Sequence, residues 1–208
     1  MICLIQARST STRLPGKISK DLAGESLIER CYNACSPVST PVIIFPYGDD
    51  TVRHICLRHN WLYREGPEDD VLERHVMAVK SFPDEMYFAR VTSDCSFIST
   101  SELYYMFHTA SKGFDFVSNC VIDSREGMEI EVLSSRAWIW LHNHAKGNGH
   151  HEHATTYIKE HMQEFTKAHF NVHYHREPYL SEWLPHLSID TIDDYMRVKE
   201  IWEKWKSY

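Results

Sequence analysis

The sequence predicts an α/β protein in which helices cover a largely parallel sheet. Short apolar stretches, the pattern of buried strands, alternate along the 208 residues with segments whose apolar side chains recur at helical spacing. This alternation is typical of an α/β sandwich. The chain has no Gly/Ser-rich linker, repeat or low-complexity tract, and its length suits one well-packed domain. We therefore expect a single domain over residues 1–208.

The first half of the chain alternates mainly apolar stretches with amphipathic segments. The predicted strands are 1–5, 41–45, 61–63 and 86–91. The predicted helices are 26–34, 50–59 and 67–81. In the first of these helices, Leu27, Ile28 and Cys31 share one face. In the third, acidic residues fill the first turn and an apolar stripe follows, as expected for an amphipathic helix.

The second half continues the alternation and ends in a helix. Ser99, followed three residues later by Glu102, is a capping-box signature of a helix start. The predicted strands are 114–118, 130–133, 169–175 and 187–190. The final helix is predicted at 192–206, with a stripe formed by Tyr195, Val198, Ile201, Trp202 and Trp205. That stripe indicates a core or subunit contact rather than a cofactor site.

Composition narrows the classes of function. The net charge of −7 argues against a general nucleic-acid binder, which needs a basic face. No apolar run approaches the ~20 residues that a membrane span requires. The first strand leads straight into a polar loop, without the features of a secretory signal peptide. Six scattered cysteines form no C-x-x-C pair, so we expect a reduced, cytoplasmic protein without a membrane or nucleic-acid partner.

The loop after the first strand is the most informative segment. Its small and hydroxyl-bearing residues let backbone N–H groups approach an anion closely. Arg8, Arg13 and Lys17 are spaced to surround a polyphosphate, two as planar guanidinium groups and one as a point charge. The spacing matches neither a P-loop nor a dinucleotide-binding glycine motif. A basic loop in an acidic protein indicates a small anionic ligand and bound Mg²⁺.

Two aspartates are candidate ligands for that ion. Asp94 follows the predicted strand 86–91, at the end of a parallel strand where open α/β sheets bind ligands. Asp190 ends the predicted strand 187–190 and could face Asp94 across the sheet. Mg²⁺ takes hard oxygen ligands, typically one or two protein carboxylates besides phosphates and waters. Asp193 and Asp194 are better explained as helix-capping residues at the start of the final helix.

Short motifs along the chain carry a family resemblance. Residues 5–17 fit I-x-A-R-x-x-S-x-R-L-P-G-K. Further matches, in chain order, are residues 66–75 with G-x-x-x-D-V-L-x-R-[YH], 90–98 with R-x-T-G-D-C-P-L-I, 127–132 with G-x-D-x-E-V, 152–155 with E-H-[VA]-T, and 189–194 with the start of V-D-T-P-E-D-L. These motifs resemble those of sugar nucleotidyltransferases of the cytidylyltransferase kind, namely the CMP-Kdo synthetases and, more closely, the SpsF-type spore coat polysaccharide enzymes.

The resemblance implies a three-layer α/β/α sandwich of the nucleotide-diphosphosugar transferase type and the reaction CTP + sugar acid → CMP-sugar + pyrophosphate. The implied catalytic residues are Arg8, Arg13, Lys17 and Asp94, and the implied Mg²⁺ ligands are Asp94 and Asp190. The implied nucleotide-binding residues are Gln6, Ala7, Arg8, Ser9, Arg13, Lys17, Arg74, Arg90, Thr92 and Ser93. The implied sugar-binding residues are Glu129, Glu131, Glu152 and His153. Relatives are often dimers, so a homodimer is also open.

Several alternatives stay open at this stage. Ser93, Ser96, Glu129 and His186 depart from the family patterns, which leaves room for another nucleotide or for a non-catalytic, nucleotide-binding relative. Arg74 equally fits an exposed ion pair with Asp70, four residues earlier on the same helix. A dense histidine cluster offers a zinc site as a further alternative, with His142, His144, His150, His151, Glu152 and His153 as its members. Adjacent residues cannot all converge on one ion, so a polar loop explains the cluster better.

Overall fold

A seven-stranded mixed sheet forms the centre of the molecule in a computed structural model that describes residues 1–120, 127–174 and 187–206. The strands are β1 (Ile2–Gln6), β2 (Thr40–Pro46), β3 (Leu62–Gly66), β4 (Tyr87–Thr92), β5 (Phe116–Ser118), β6 (Glu131–Ser134) and β7 (Val172–Tyr174). Their order across the sheet is β3-β2-β1-β4-β6-β5-β7. Each strand pairing is parallel except those of β6, which runs antiparallel to β4 and β5. The prediction of a largely parallel sheet is confirmed.

Side-chain caps mark the start of several helices among the described residues. The helices are α1 (Leu27–Cys35), α2 (Asp50–His59), α3 (Val71–Lys80), α4 (Thr100–Ala110), α5 (Ser135–His144), α6 (Asn148–Glu152), α7 (Thr156–Glu160), α8 (Met162–Lys167) and α9 (Ile192–Lys206). Ser26 and Glu29 form a complete capping box on α1, and Ser99 caps α4. None of these helices is long and apolar enough to cross a membrane.

Helix α3 begins four residues later than predicted. The acidic residues 68–70 have the composition of a first helical turn. However, the Asp70 side chain accepts a hydrogen bond from the Glu73 amide at 2.8 Å, which makes Asp70 the N-cap. The residues before it therefore belong to a loop rather than to the helix.

The central strands are buried on both faces, because helices cover each side of the sheet. Along β1, the side chains of Cys3 and Ile5 belong to one core cluster, whereas Ile2 and Leu4 belong to another. The first cluster contains residues of α1, α2 and α4, and the second contains residues of α3 and α5. Alternate residues of a strand point to opposite faces, so β1 lies between two helical layers.

A third apolar cluster corrects the prediction of a strand at 187–190. Leu187 and Ile189 are buried, but their segment pairs with none of the described strands. Their side chains pack with Leu14, Phe97 and Met128 and with α9 instead. Val198 of α9 is fully buried there, and Tyr195, Ile201 and Trp202 pack against the cluster, so these four residues of the stripe belong to the core of their own chain.

Candidate active site

The basic loop leaves the carboxyl end of β1 and is held by a residue that the motifs did not indicate. Asp49 accepts hydrogen bonds from the Ser9 amide at 2.7 Å and from the Ser9 hydroxyl at 2.8 Å. The same carboxylate caps α2 by accepting from the Val52 amide at 3.1 Å. Gly16 has a φ of +67°, a left-handed conformation that glycine adopts without a steric penalty. Ser9 thus fixes the loop through Asp49, and its expected role in nucleotide binding stays a prediction.

Three of the expected site residues meet at one ammonium group. The Lys17 Nζ lies 2.7 Å from Asp94 Oδ2 and 3.2 Å from Asp190 Oδ1. The Arg13 guanidinium lies 3.0 Å from the same Asp190 oxygen. Burial raises the pKa of Asp94, but Lys17 and Thr92 together bring that pKa below its usual range. Asp94 is therefore ionised at neutral pH, and the two carboxylates share the Lys17 cation.

These groups open into a cleft of about 890 Å³ at the carboxyl ends of β1 and β4. The expected site residues that line it are Gln6, Ala7, Arg8, Arg13, Lys17, Arg74, Thr92, Ser93, Asp94, Glu152, His153 and Asp190. Ser9, Arg90, Glu129 and Glu131 are expected site residues that do not line this cleft. Gln6 carries a buried side-chain oxygen without a hydrogen-bond partner. Such an atom in a cleft wall is available to a ligand.

Arg74 lines the same cleft and is only 3% exposed. Its Nε and one terminal nitrogen have no hydrogen-bond partner in the described part of the protein. Asp70, its alternative partner, caps α3 and pairs with His151 at 2.8 Å. Burial, together with the nearby Arg8 charge, lowers the pKa of Arg74 to about 10. A buried guanidinium with open donors is costly in the free protein, which indicates that Arg74 awaits an anionic or carbonyl-bearing ligand.

A second, smaller cleft of about 310 Å³ adjoins the first and shares Thr92, Asp94 and His153 with it. Behind it lies Glu131, whose side chain is fully buried. Its Oε2 accepts hydrogen bonds from Arg90 at 2.9 Å and from the Thr155 hydroxyl at 2.8 Å, and its Oε1 forms an ion pair with Lys159 at 2.7 Å. That Glu131 binds the sugar stays a prediction, and in this structure its carboxylate contacts protein groups. It positions Arg90 and Lys159, which line the second cleft.

Glycine 127 explains how the segment before Asp190 reaches the site. Its φ is +91°, and a Cβ atom there would lie 2.3 Å from the backbone carbon of Leu187. Only glycine permits this close approach between the two segments. The neighbouring Glu129 accepts from the Gly127 amide at 2.7 Å and from the Cys95 thiol at 3.2 Å, and it lines the second cleft. His186, one of the motif departures, lies outside the described residues.

The histidine cluster does not form the zinc site considered from the sequence. His142 of α5 pairs with Glu73 at 2.5 Å, and His151 of α6 pairs with Asp70 at 2.8 Å. Both histidines therefore connect their helices to the start of α3. His144 contacts the Trp140 carbonyl of its own helix at 2.8 Å. Of the six residues, only His150 belongs to a group of metal-binding side chains found in the described ranges, and its neighbours there are Glu160 and His161.

The mostly parallel sheet carries a cation-rich loop and paired aspartates at its carboxyl edge, an arrangement that suits a nucleotidyltransferase. The family model described as Cytidylyltransferase matches residues 2–206. The chain therefore belongs to the cytidylyltransferase family and is a nucleotidyltransferase enzyme, as its motifs predicted.

Individual relatives agree with this assignment. The spore coat polysaccharide biosynthesis protein SpsF of Bacillus subtilis (strain 168) is 24% identical, over 98% of this chain and 87% of its own length. A cytidylyltransferase structure from Leptospira borgpetersenii superposes with a TM-score of 0.83 at 23% identity and covers 99% of this chain and 95% of its own. A CMP:2-keto-3-deoxy-manno-octonic acid synthetase complexed with CTP gives a TM-score of 0.73 at 11% identity, over 98% of both chains. The predicted fold class is confirmed.

Proposed function

We propose that this enzyme is a Mg²⁺-dependent cytidylyltransferase that transfers CMP from CTP to an acidic sugar and releases pyrophosphate, for polysaccharide or glycoconjugate synthesis. A single domain, residues 1–208, would carry the whole site. The observation that carries the proposal is the convergence of Arg13, Lys17, Asp94 and Asp190 in a cleft that also holds the unpartnered Arg74. The structural neighbour complexed with CTP and the SpsF relative favour CTP and a saccharide product.

The basic loop is suited to hold the triphosphate. Arg8, Arg13 and Lys17 all line the larger cleft, and they would bind the β- and γ-phosphates. In the reaction, a sugar hydroxyl attacks the α-phosphate in line, and negative charge develops on the departing pyrophosphate. Cations fixed beforehand stabilise that charge, because no reorganisation is needed when the bond breaks.

The carboxylates fit a magnesium ion. Asp94 and Asp190 already converge on one cation, the Lys17 ammonium, and both offer the hard oxygen atoms that Mg²⁺ prefers. Asp94 and Asp190 would hold the ion. When bound, Mg²⁺ supplies positive charge that polarises a phosphoryl oxygen. Lys17 would then turn from the carboxylates towards the phosphates, which remain within reach in the same cleft.

Nucleotide and sugar are assigned to different parts of the cleft system. Arg74 and Gln6 offer unpartnered buried polar atoms in the larger cleft, so we assign them to the nucleotide. Glu152 and His153 line the end of this cleft, and His153 continues into the smaller one, where we place the acceptor. Two cations, Arg90 and Lys159, share the single carboxylate of Glu131 beside that cleft, which favours an acceptor with an acidic group.

Nucleotide binding is tested first by thermal unfolding with CTP, UTP, GTP, ATP or dTTP, each with and without Mg²⁺. A ligand at about 100 times its dissociation constant adds ~2.7 kcal/mol, or roughly 5–10 °C for a chain of this length. We expect this shift with CTP and Mg²⁺. A shift with a different nucleotide alone would contradict the assignment of CTP, and no shift with any nucleotide would contradict the nucleotide site.

Turnover is tested by pyrophosphate release from CTP in the presence of acidic sugars, beginning with 3-deoxy-manno-octulosonate. Release that requires an acidic sugar and Mg²⁺ is the expected result. A matched control is Lys112→Ala, which removes an exposed lysine from the turn after α4 that lines neither cleft. This variant should keep full activity, whereas Lys17→Ala should lose it while remaining folded. CTP binding without pyrophosphate release from any acidic sugar would instead support a non-catalytic relative.

A further inference from the structure

Outside the clefts, three side chains that can bind a metal ion face one another at the surface. His150 belongs to α6, Glu160 is the last residue of α7, and His161 follows it directly. One ligand atom from each of the three lies within 4.8 Å of the others. The Tyr157 ring stacks on His161 with 4.1 Å between ring centroids and meets the His150 ring edge-on at 5.0 Å. Both imidazoles therefore pack against one aromatic ring, and their own ring centroids lie 5.8 Å apart.

The hydrogen bonds of the two histidines determine which ring nitrogen is free. His150 Nδ1 lies 2.6 Å from the Lys146 carbonyl oxygen, and His161 Nδ1 lies 3.2 Å from the Tyr157 carbonyl oxygen. A carbonyl oxygen only accepts, so these contacts favour a proton on each Nδ1, although the Lys146 amide also faces His150 Nδ1 at 3.4 Å. In a neutral imidazole the lone pair is then on Nε2. Metal-binding histidines commonly have this arrangement, in which the second nitrogen donates to a carbonyl group.

The contact between His150 and Glu160 depends on where the imidazole carries its proton. His150 Nε2 lies 2.8 Å from Glu160 Oε2. With its proton on Nδ1, a neutral His150 would direct a lone pair at a carboxylate oxygen, and two acceptors at this distance repel each other. A proton on Nε2 removes the repulsion, and so does a metal ion bound to both groups.

We propose that His150, Glu160 and His161 form a zinc site that joins α6 to the turn between α7 and α8. Two imidazole nitrogens and one carboxylate are a ligand set that zinc accepts, with a water molecule in the fourth position. With Zn–N and Zn–O distances near 2.1 Å, tetrahedral ligand atoms lie about 3.4 Å apart, so ligand atoms now separated by up to 4.8 Å would have to move together. Glu160, whose side chain is 54% exposed, is free to rotate inwards.

The site would stabilise a segment that matters for the clefts. His151, Glu152 and His153 directly follow His150 and line the larger cleft, and Lys159, which lines the smaller cleft, directly precedes Glu160. A zinc ion would therefore fasten together two short helices that carry cleft residues. Helices of five residues have little stability of their own, so a cross-link between them is useful.

The proposal is tested by calorimetric titration of the chelator-treated, full-length protein with Zn²⁺, in buffer with millimolar Mg²⁺ to occupy the carboxylates of the larger cleft. Co²⁺ serves as a spectroscopic probe, because tetrahedral coordination gives visible absorption bands. We expect one equivalent of Zn²⁺ to bind, with at least tenfold weaker affinity in His150→Asn, Glu160→Gln and His161→Asn. His144→Asn, an exposed histidine on α5 outside the group, is the matched control and should bind as the parent does.

Two results would overturn the proposal. One is the absence of zinc binding to the parent protein at micromolar concentrations, which would leave only a hydrogen bond between His150 and Glu160. The other is binding that survives both His161→Asn and Glu160→Gln. Melting temperatures of the variants in chelator identify any that fail to fold. Because Glu160 is largely exposed, Glu160→Gln is expected to fold and keeps the test decisive.

Discussion

Arg74 gives a prediction in which stability and binding change in opposite directions. The side chain is 3% exposed and has unpartnered nitrogens in the cleft wall. Methionine replaces the aliphatic part of the side chain and removes the charged guanidinium group. We therefore expect Arg74→Met to stabilise the free protein while weakening CTP binding. A residue that serves only the fold would lower stability when replaced.

The magnitude follows from the electrostatics of the side chain. Burial and Arg8 lower the pKa of Arg74 to about 10, so folding penalises the charged form at every pH below that value, including neutral pH. Each pKa unit corresponds to about 1.4 kcal/mol, and water in the cleft screens part of the effect. Removing the charge should therefore raise the unfolding free energy by about 2 kcal/mol, or roughly 4–8 °C. Loss of a charge-assisted hydrogen bond should weaken CTP binding about 10- to 150-fold.

Urea unfolding without ligand and calorimetric CTP titration with Mg²⁺ measure the two quantities. Arg58→Met, which replaces an exposed arginine on α2, is the matched control and should change neither by more than about 0.5 kcal/mol. A destabilised Arg74→Met protein would refute the claim that the charge is unpaired. CTP affinity within twofold of the parent would refute its role in binding.

Three further substitutions test other parts of the site. Lys17→Ala should reduce pyrophosphate release at least 100-fold, and Mn²⁺ titration by electron paramagnetic resonance should show tighter metal binding without nucleotide, because Asp94 and Asp190 lose their shared cation. Gly66→Ala would place a Cβ 2.9 Å from the Arg74 side chain, so calorimetry should show weaker CTP binding and thermal unfolding lower stability. Glu131→Gln should lower stability by about 3 kcal/mol at pH 7. Burial raises the pKa of Glu131, but Arg90 and Lys159 hold it below its usual range. Its stabilising effect is thus present above about pH 4.3 and lost as pH falls further, and the variant should lack this acid dependence in urea unfolding.

The sequence predicted a helix or strand correctly where the pattern that indicates it lies within one segment. Helices α2 and α9 have the predicted limits, 50–59 and 192–206, because the spacing of apolar residues that indicates a helix lies within each segment. At 187–190 the alternating apolar pattern suited a strand and a loop packed on a cluster equally well. Which one forms depends on Leu14 and Phe97, which are distant in sequence.

The same distinction holds for the candidate site. Family motifs indicated most residues that line the larger cleft, although no local rule pairs Lys17 with Asp94, 77 residues away. Asp49 was missed because its partner, Ser9, is 40 residues distant. Lys159 was missed because an exposed helical lysine has no distinctive pattern, and its role depends on Glu131 on a separate strand. Contacts between residues so distant in sequence depend on how the strands are ordered in the sheet.

The central claim is that one cleft holds CTP and a metal ion between Asp94 and Asp190. The most direct measurement is a crystal structure grown with CTP and Mn²⁺, with the manganese located by anomalous scattering. We predict a manganese peak contacting both aspartates, with the triphosphate on Arg8, Arg13 and Lys17. Manganese or nucleotide bound elsewhere, or Lys17 still bridging the two carboxylates beside a bound nucleotide, would contradict it.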